Sequence, residues 1–356
     1  MSRRNRIVIP NSVFHLTARV VNRAFLLANP DFKDWIVERV YGVADFSGVD
    51  VLAWCVMDNH LHLLVHVPEV PERYRTSSEA PASYAFGMRP PECNPPLWPP
   101  AAGDTPRQPD QPPRPPLGFM LDDGEMLERL RALYGSNRKA DAFRRRWERL
   151  REVGRNREVE LEKERLCRRM YNVSQFMKTL KEQIAERLNL ALGREGQLWD
   201  GRFRSGIVER TRNVLCVVAS YIDLNPVRAK IVSAPGHYRW DSFSQALGDG
   251  PFARRCRRGY ETLFGLDWSA ARELAWRILN DRIVRTGISG GTALRASQAI
   301  RQRIRVLSRG AFIGIGEAFG RVVQAFLPRR YPAARPDRDI AECRRLDWSP
   351  PPQEAA

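Results

Sequence analysis

Residues 54–68 read Trp54-Cys-Val-Met-Asp-Asn-His-Leu-His-Leu-Leu-Val-His-Val-Pro68. The apolar, β-branched composition around Met57-Asp58-Asn59 predicts a buried β-strand that breaks there and resumes at His60. Because side chains alternate along a strand, His60 and His62 share one face, with Cα atoms about 6.5–7 Å apart. Two imidazoles at that spacing can converge on one metal ion.

The same histidines also have a structural interpretation. Two half-buried imidazoles can instead be hydrogen-bonded to their neighbours. His66 lies on the same nominal face but about 13 Å further along, too far to join the pair without a bend. The strand alone therefore leaves a metal site and a structural histidine pair both open.

The charge balance favours a nucleic-acid partner. The 356 residues carry a formal net charge of +17 and have a pI near 10.2. Six of the 58 basic residues are lysine, which leaves 52 arginines, and a guanidinium group binds two phosphate oxygens at once. A GC-rich genome explains arginine in place of lysine but not the excess of positive charge, so nucleic acid is the expected partner.

Cysteine spacing and hydropathy indicate a protein of the reducing cytoplasm. The six cysteines are far apart and form no Cys-x-x-Cys pair, which argues against a disulfide scaffold or a zinc ribbon. The basic N-terminus precedes an apolar run too short for a signal peptide, and no run reaches the roughly 18 residues that span a bilayer. We therefore expect no membrane partner.

The order of predicted elements indicates an α+β fold. Strand and helix patterns alternate as β-α-β-β over residues 13–21, 31–46, 49–56 and 60–67. A further helix and a strand near 200–209 would complete a ferredoxin-like sandwich, an antiparallel sheet with helices on one face. Asp31 and Ser174 are the expected N-caps of the two helices of this sandwich.

Two insertions are predicted between the halves of this domain. Fifteen of the 26 prolines fall within residues 68–116, which predicts a disordered insertion over 68–120. Residues 121–170 are helical and highly charged, and form either a solvated helical hairpin or a phosphate-facing surface. The domain itself is expected to comprise residues 1–67 and 171–250.

After residue 250 the chain continues with a predicted helical extension over 251–330. A basic, proline-rich tail over 331–356 is expected to be disordered. The extension is either a helical module that adds DNA contacts or one that packs on the domain or supports a homodimer.

A tyrosine and an asparagine lie on the helix predicted after the last core strand. Tyr221 and Asn225 are spaced i, i+4, so they lie on one face about 6 Å apart along the axis. A tyrosine hydroxyl can attack phosphorus when a metal polarises the phosphate. Two imidazoles, one amide oxygen and water suit Mg²⁺ or Mn²⁺. The structural alternative is a core Tyr221 whose hydroxyl bonds to backbone, and an Asn225 that caps the helix before Pro226.

Four segments carry a resemblance to a known family. They are Met57-Asp-Asn-His-Leu-His-Leu-Leu-Val, Gly196-Gln-Leu-Trp-Asp-Gly-Arg-Phe, Tyr221-Ile-Asp-Leu-Asn-Pro-Val-Arg-Ala229 and His237-Tyr-Arg-Trp-Asp-Ser-Phe. The first three, in this order, resemble the REP-associated tyrosine transposases, a branch of the single-tyrosine transposases in the HUH (His-hydrophobic-His) nuclease superfamily. The fourth resembles that family's usual exit from the domain. The resemblance covers about residues 5–67 and 170–245.

The resemblance implies a ferredoxin-like bacterial transposase that cuts single-stranded DNA at structured ends through a transient 5′-phosphotyrosine. Such a protein is cytoplasmic and associates with the nucleoid when bound to DNA. His60 and His62 match the metal-binding pair, Tyr221 matches the nucleophile, and Asn225 occupies the position of the third ligand. Basic residues on the helix after residue 172, at the last core strand and beside Tyr221 are the expected contacts to single-stranded or hairpin DNA: Lys178, Lys181, Arg202, Arg204 and Arg228.

The chain departs from the compact members of the family in the insertion at 68–170 and the extension after 250. These departures bear on DNA-target geometry rather than on chemistry. Met57-Asp58-Asn59 also replaces the more usual Met-Pro-Asn, which alters only the turn. Two other functions stay open: a related HUH nickase of replication or conjugation, and a domesticated nucleic-acid-binding protein that no longer cuts.

Overall fold

The computed structural model describes residues 11–76, 118–286 and 312–313. No helix in these ranges is long and apolar enough to cross a membrane. The elements are β1 (Ser12–Arg19), α1 (Pro30–Ser47), β2 (Asp50–Val56), β3 (His60–Val67), α2 (Asp123–Tyr134), α3 (Asn137–Glu152), α4 (Asn156–Cys167), α5 (Val173–Ala191), β4 (Arg204–Val208), α6 (Arg212–Asp223), α7 (Asn225–Arg228), α8 (Ser242–Leu247), α9 (Ala253–Phe264), α10 (Trp268–Thr286) and β5 (Phe312–Ile313).

The centre of the molecule is an antiparallel sheet in the order β2-β3-β1-β4. The short strand β5 adds to β4 in parallel. With α1 between β1 and β2, and α5 before β4, the connections follow the β-α-β-β-α-β pattern of the ferredoxin-like fold. The predicted α+β fold, with a helical insertion and further helices after the domain, is therefore confirmed.

Both sandwich helices begin at an asparagine rather than at the predicted residue. Asn29 precedes α1, and its Oδ1 accepts from the backbone N–H of Phe32 (2.9 Å), with Pro30 at the first helical position. Asn172 does the same for α5, where Oδ1 accepts from the N–H of Ser174 (2.9 Å). The predicted N-caps Asp31 and Ser174 are wrong because an earlier asparagine already satisfies the free N–H groups of each helix.

The two faces of the sheet bury different residues. Trp54 of β2 pairs with Leu63 of β3, so the two side chains share one face of the sheet, which we call the leucine face. Nε1 of Trp54 donates to the hydroxyl of Tyr41 on α1 (3.0 Å), and α1 therefore covers this face. His62 points to the opposite face because neighbours on a strand alternate. That face is covered by α6, which contacts β2 and β3. The two sandwich helices α1 and α5 therefore share one face of the sheet, as predicted, whereas α6 lies on the other face and covers the histidines.

The charged insertion forms three helices, of which α2 packs closely on α1. A Cβ added to Gly42 of α1 would lie 2.5 Å from the carbonyl oxygen of Ala132 on α2. The chain leaves and re-enters this region at one place, since Thr76 N–H bonds to Gly118 O (3.1 Å). Residues 77–117, which hold most of the segment predicted to be disordered, lie outside the described residues.

The end of the domain, at residues 240–242, and the first helix of the extension cover the outer edge of β2. The N–H of Val56 bonds to Trp240 O (2.9 Å), and the N–H of Trp54 bonds to Ser242 Oγ (3.0 Å). Beyond them α9 lies so close that a Cβ on Gly259 would be 2.4 Å from Leu52 O. An uncovered edge strand invites pairing with other chains. The first helix of the extension therefore packs on the domain. Whether the extension also contacts DNA stays a prediction, and the tail at 331–356 lies outside the described residues.

Two buried carboxyl groups join the extension to α6. Asp223, at the end of α6, accepts from the hydroxyl of Tyr260 on α9 (2.8 Å) and from Ser242 Oγ (3.3 Å). Asp241 accepts from the N–H of Ser244 (2.7 Å) as the N-cap of α8. Burial raises the pKa of Asp223 to about 7 and raises that of Asp241, which the nearby Asp223 charge raises further. At least one of the two carboxyl groups therefore holds a proton near neutral pH.

This cluster predicts a pH-dependent stability with a definite sign. Because the folded-state pKa of Asp223 lies above the usual 3.8, the native protein binds the proton more tightly than the unfolded chain does. Stability is therefore lost as the pH rises towards and through the folded pKa. We expect wild type to lose on the order of 1 kcal/mol more than Asp223→Asn between pH 6 and pH 8. Urea unfolding of both proteins measures this, and parallel pH profiles would contradict it.

Candidate active site

The predicted histidine pair lies at the start of β3. The ring centroids of His60 and His62 are 5.0 Å apart and the ring planes are nearly perpendicular. Nδ1 of His60 is 2.6 Å from Oδ1 of Asn59, and Nδ2 of Asn59 donates to the carbonyl oxygen of Arg23 (3.0 Å). That second bond turns the amide oxygen towards His60. His60 therefore carries its proton on Nδ1, and its Nε2 holds a free lone pair.

A third histidine, His15 of β1, lies against the pair and was not predicted from the sequence. Its Nε2 is 3.0 Å from Nδ1 of His62, and the two ring planes are nearly parallel, with centroids 5.3 Å apart, as an in-plane hydrogen bond between two imidazoles requires. The sequence held only part of the signal for it, since His15, Thr17 and Arg19 alternate along β1 and so share a face. The register that pairs Thr17 with His62 is known only from the structure.

Tyr221 lies over these histidines. Its ring centroid is 5.7 Å from that of His62 and 5.8 Å from that of His15, and it meets both rings edge-on. The helix α6 is held there by buried side chains such as Val218 and Ile222. Within the described residues the Tyr221 hydroxyl has no hydrogen-bond partner. The backbone bond that a purely structural tyrosine would make is therefore not seen.

Asn225 caps the helix that carries Tyr221. Its Nδ2 donates to the carbonyl oxygens of Tyr221 (3.0 Å) and Ile222 (3.2 Å), as the structural alternative requires. These bonds use only the nitrogen of the amide. They fix the amide plane, and its Oδ1 has no partner in the described part of the chain. Capping and metal binding are therefore compatible at this residue.

Arginines surround the tyrosine and the histidines. The guanidinium of Arg228 lies 4.7 Å over the Tyr221 ring and donates to the Tyr221 carbonyl oxygen (3.2 Å). Arg204 of β4 is exposed and is the register partner of Thr17, which places it on the histidine face. Arg19 is the exposed register partner of His60 and was not predicted. Arg228 therefore lies against Tyr221, while Arg19 and Arg204 share the sheet face of the histidines.

The remaining predicted DNA contacts lie further away. Arg202 is exposed just before β4. Lys181 of α5 donates to Gly201 O (2.8 Å), and Lys178, one turn earlier, lies 3.9 Å from a Glu182 carboxylate oxygen. Since α5 belongs to the layer on the leucine face, neither lysine joins the histidine cluster. They stay candidates for contacts beyond the site.

Burial keeps the histidines neutral. Desolvation lowers the pKa of His60 to about 4, with a smaller effect from the Arg19 charge. It lowers the pKa of His15 to about 4 and that of His62 further below its usual value. Neutral imidazole is the form that binds metal. The cluster therefore offers nitrogen lone pairs at physiological pH.

The donor set fits a metal ion that is completed by other ligands. Among the described residues, no three His, Cys, Asp or Glu side chains are arranged to hold a metal together. His60 and His62 therefore need a ligand of another type, and the free Oδ1 of Asn225 and water are of the kind that Mg²⁺ and Mn²⁺ accept. Structural zinc, which favours four Cys or His ligands, fits this set less well.

Comparisons with known proteins add little to this geometry. No protein-family model matches the chain, and no curated protein is similar to it. A solved structure of a REP-associated tyrosine transposase bound to a REP hairpin is similar over 69% of this chain and 86% of that chain, with 14% identity and a TM-score of 0.36. A TM-score this low does not establish a common fold.

Proposed function

We propose that this protein is a transposase that binds single-stranded or hairpin DNA and cuts and rejoins it through Tyr221. The observation that carries the proposal is the position of Tyr221. It lies 5.7 Å, ring to ring, from His62, although the two residues are far apart in the sequence. A tyrosine hydroxyl that has no hydrogen-bond partner in the described part of the chain, beside neutral imidazoles and exposed arginines, suits attack on a phosphodiester.

A divalent cation, Mg²⁺ or Mn²⁺, would be held by His60, His62 and Oδ1 of Asn225. When bound, it supplies Lewis-acid polarisation of the scissile phosphate. The protein's own contribution is to present two neutral imidazoles from one strand and an amide oxygen from the neighbouring helix. Arg19, Arg204 and Arg228 would hold the phosphates of the DNA strand by charge-assisted hydrogen bonds.

The chemical step conserves the number of phosphate ester bonds. The phenolic oxygen of Tyr221 forms a bond to phosphorus as the bond from phosphorus to the 3′-oxygen breaks. The phenolic proton is lost to solvent, and the departing 3′-oxygen gains one. The DNA then ends in a free 3′-hydroxyl, and the enzyme holds a 5′-phosphotyrosine. Attack by another 3′-hydroxyl on this intermediate reverses the step and rejoins the strands.

The metal-binding role is tested by removing one imidazole at a time. We expect His60→Ala and His62→Ala each to abolish cleavage of a hairpin oligonucleotide in the presence of Mg²⁺ or Mn²⁺. Binding of the same hairpin should stay within about tenfold of wild type, since phosphate contacts supply most of the affinity. Gel assays of cleavage and fluorescence anisotropy of binding measure the two effects separately.

His66→Ala is the matched control. His66 lies on the same strand but bonds to Asp50 (3.0 Å) and Asn11 (2.8 Å), away from the cluster. This variant should cut at the wild-type rate. Cleavage at that rate by either of the other two variants would remove the metal assignment.

A further inference from the structure

We propose that His15 is a positioning residue, which accepts a hydrogen bond from His62 and thereby fixes the tautomer that His62 needs to bind a metal. The inference rests on the proposed function, because it gives His15 a role towards the cation of that same site. It starts from one contact, the 3.0 Å between Nε2 of His15 and Nδ1 of His62. Both rings are buried, with 9% and 6% of their surface exposed.

The direction of this hydrogen bond decides whether His62 can bind a metal. A neutral imidazole has one N–H and one lone pair. If His62 accepts at Nδ1, its proton is on Nε2 and neither nitrogen is free. If His62 donates from Nδ1, its Nε2 keeps a lone pair, and no described residue forms a hydrogen bond to that nitrogen. Only the second arrangement, with His15 Nε2 as acceptor, is compatible with a metal ligand.

The neighbouring ligand supports this direction. Asn59 is locked by its bond to Arg23 O, so its Oδ1 accepts from Nδ1 of His60. His60 is thus held in the Nδ1–H tautomer by a dedicated acceptor. Metal-binding histidines almost always donate their second ring N–H to such an acceptor. His15 is the residue of the described chain that lies in the equivalent place for His62.

The nearly coplanar arrangement of the two rings explains why the acceptor is a histidine. His15 comes from β1, the strand next to β3, and its ring lies nearly parallel to that of His62, with 11° between the planes. The same ring also meets the edge of Tyr221. One flat side chain therefore fills the space under Tyr221 and supplies a nitrogen acceptor within the sheet.

The experiment reads the tautomer directly, in metal-free protein. The chain has five histidines, so selective ¹⁵N-histidine labelling gives a simple long-range ¹H–¹⁵N spectrum. In wild type at pH 7 we expect His62 to be protonated on Nδ1 and unprotonated on Nε2. We also expect a scalar coupling across the hydrogen bond between His62 Nδ1 and His15 Nε2. Wild-type His62 with its proton on Nε2 would overturn the proposal without any variant.

Two substitutions separate the acceptor from the packing. His15→Phe keeps a flat ring but removes the acceptor, and should shift His62 towards the Nε2–H tautomer and weaken Mn²⁺ binding by about 10- to 100-fold in calorimetry. His15→Gln returns an acceptor oxygen and should restore most of both signals. His66→Phe, on the same strand but outside the cluster, should change neither.

The outcomes distinguish this inference from the proposed function. If His62 stays Nδ1-protonated in His15→Phe, His15 does not set the tautomer and the inference is wrong. If the tautomer shifts as expected but wild type binds no Mn²⁺, the inference about the hydrogen bond stands and the metal-dependent function fails. If His15→Gln behaves like His15→Phe, the ring of His15 serves only packing and the inference is wrong.

Discussion

Tyr221→Phe is expected to abolish strand cleavage and to leave the fold unchanged. The substitution keeps the ring, which meets His62 and His15 edge-on, and keeps the contact with the Arg228 guanidinium. It removes only a hydroxyl that has no hydrogen-bond partner among the described residues. Cleavage should therefore fall to background, by several orders of magnitude, while the melting temperature changes by less than about 2 °C.

The control for this variant is Tyr134→Phe. Tyr134 ends α2 and stacks on Phe143 of the insertion, away from the histidine cluster. This variant should cut like wild type. A Tyr221→Phe protein that still cuts would show either that another tyrosine attacks or that a metal-bound water does the cutting.

Gly259→Ala is expected to have the largest effect on stability. The added Cβ would lie 2.4 Å from Leu52 O and 3.1 Å from the Leu52 carbonyl carbon, and these backbone atoms of β2 cannot give way easily. The helix α9 would have to move off the strand edge. We expect a loss of about 1–3 kcal/mol, even though alanine is intrinsically the better helix former. Urea unfolding followed by circular dichroism measures the change.

Gly124→Ala is the matched control in another helix. Gly124 lies in α2 and is exposed, and its Cβ would meet only the side-chain oxygen of Asp122, at 3.3 Å. This substitution should be neutral within about 0.5 kcal/mol or slightly stabilising. Equal stabilities for Gly259→Ala and wild type would mean that α9 does not pack on β2 as described.

The fold was predictable because its signals are local and periodic. The alternation in residues 60–67 and the helical spacing in 31–46 each fix one element without knowledge of the rest. The strand order then follows from a β-α-β-β-α-β succession. Helix starts were less predictable, because Asn29 and Asn172 compete with Asp31 and Ser174 as caps and only the backbone geometry decides between them.

The candidate site was only partly predictable, for a different reason. His60 and His62 are two residues apart, so strand geometry alone brings them together. His15 and Arg19 reach the cluster through the pairing of β1 with β3. The sequence of neither strand alone predicts the register of that pairing. The cover that α9 gives to β2 depends on the close approach at Gly259, a long-range contact without a sequence pattern.

The central claim is that Tyr221 becomes covalently linked to DNA, and mass spectrometry of wild-type protein tests it most directly. The full chain is incubated with Mg²⁺ or Mn²⁺ and hairpin oligonucleotides taken from the DNA that flanks its own gene. The reaction is stopped in denaturant, and the adduct is digested and sequenced. Our account predicts an adduct whose 5′-phosphate is attached to Tyr221. A cut strand with no adduct, or an adduct on one of the other eight tyrosines, would contradict it.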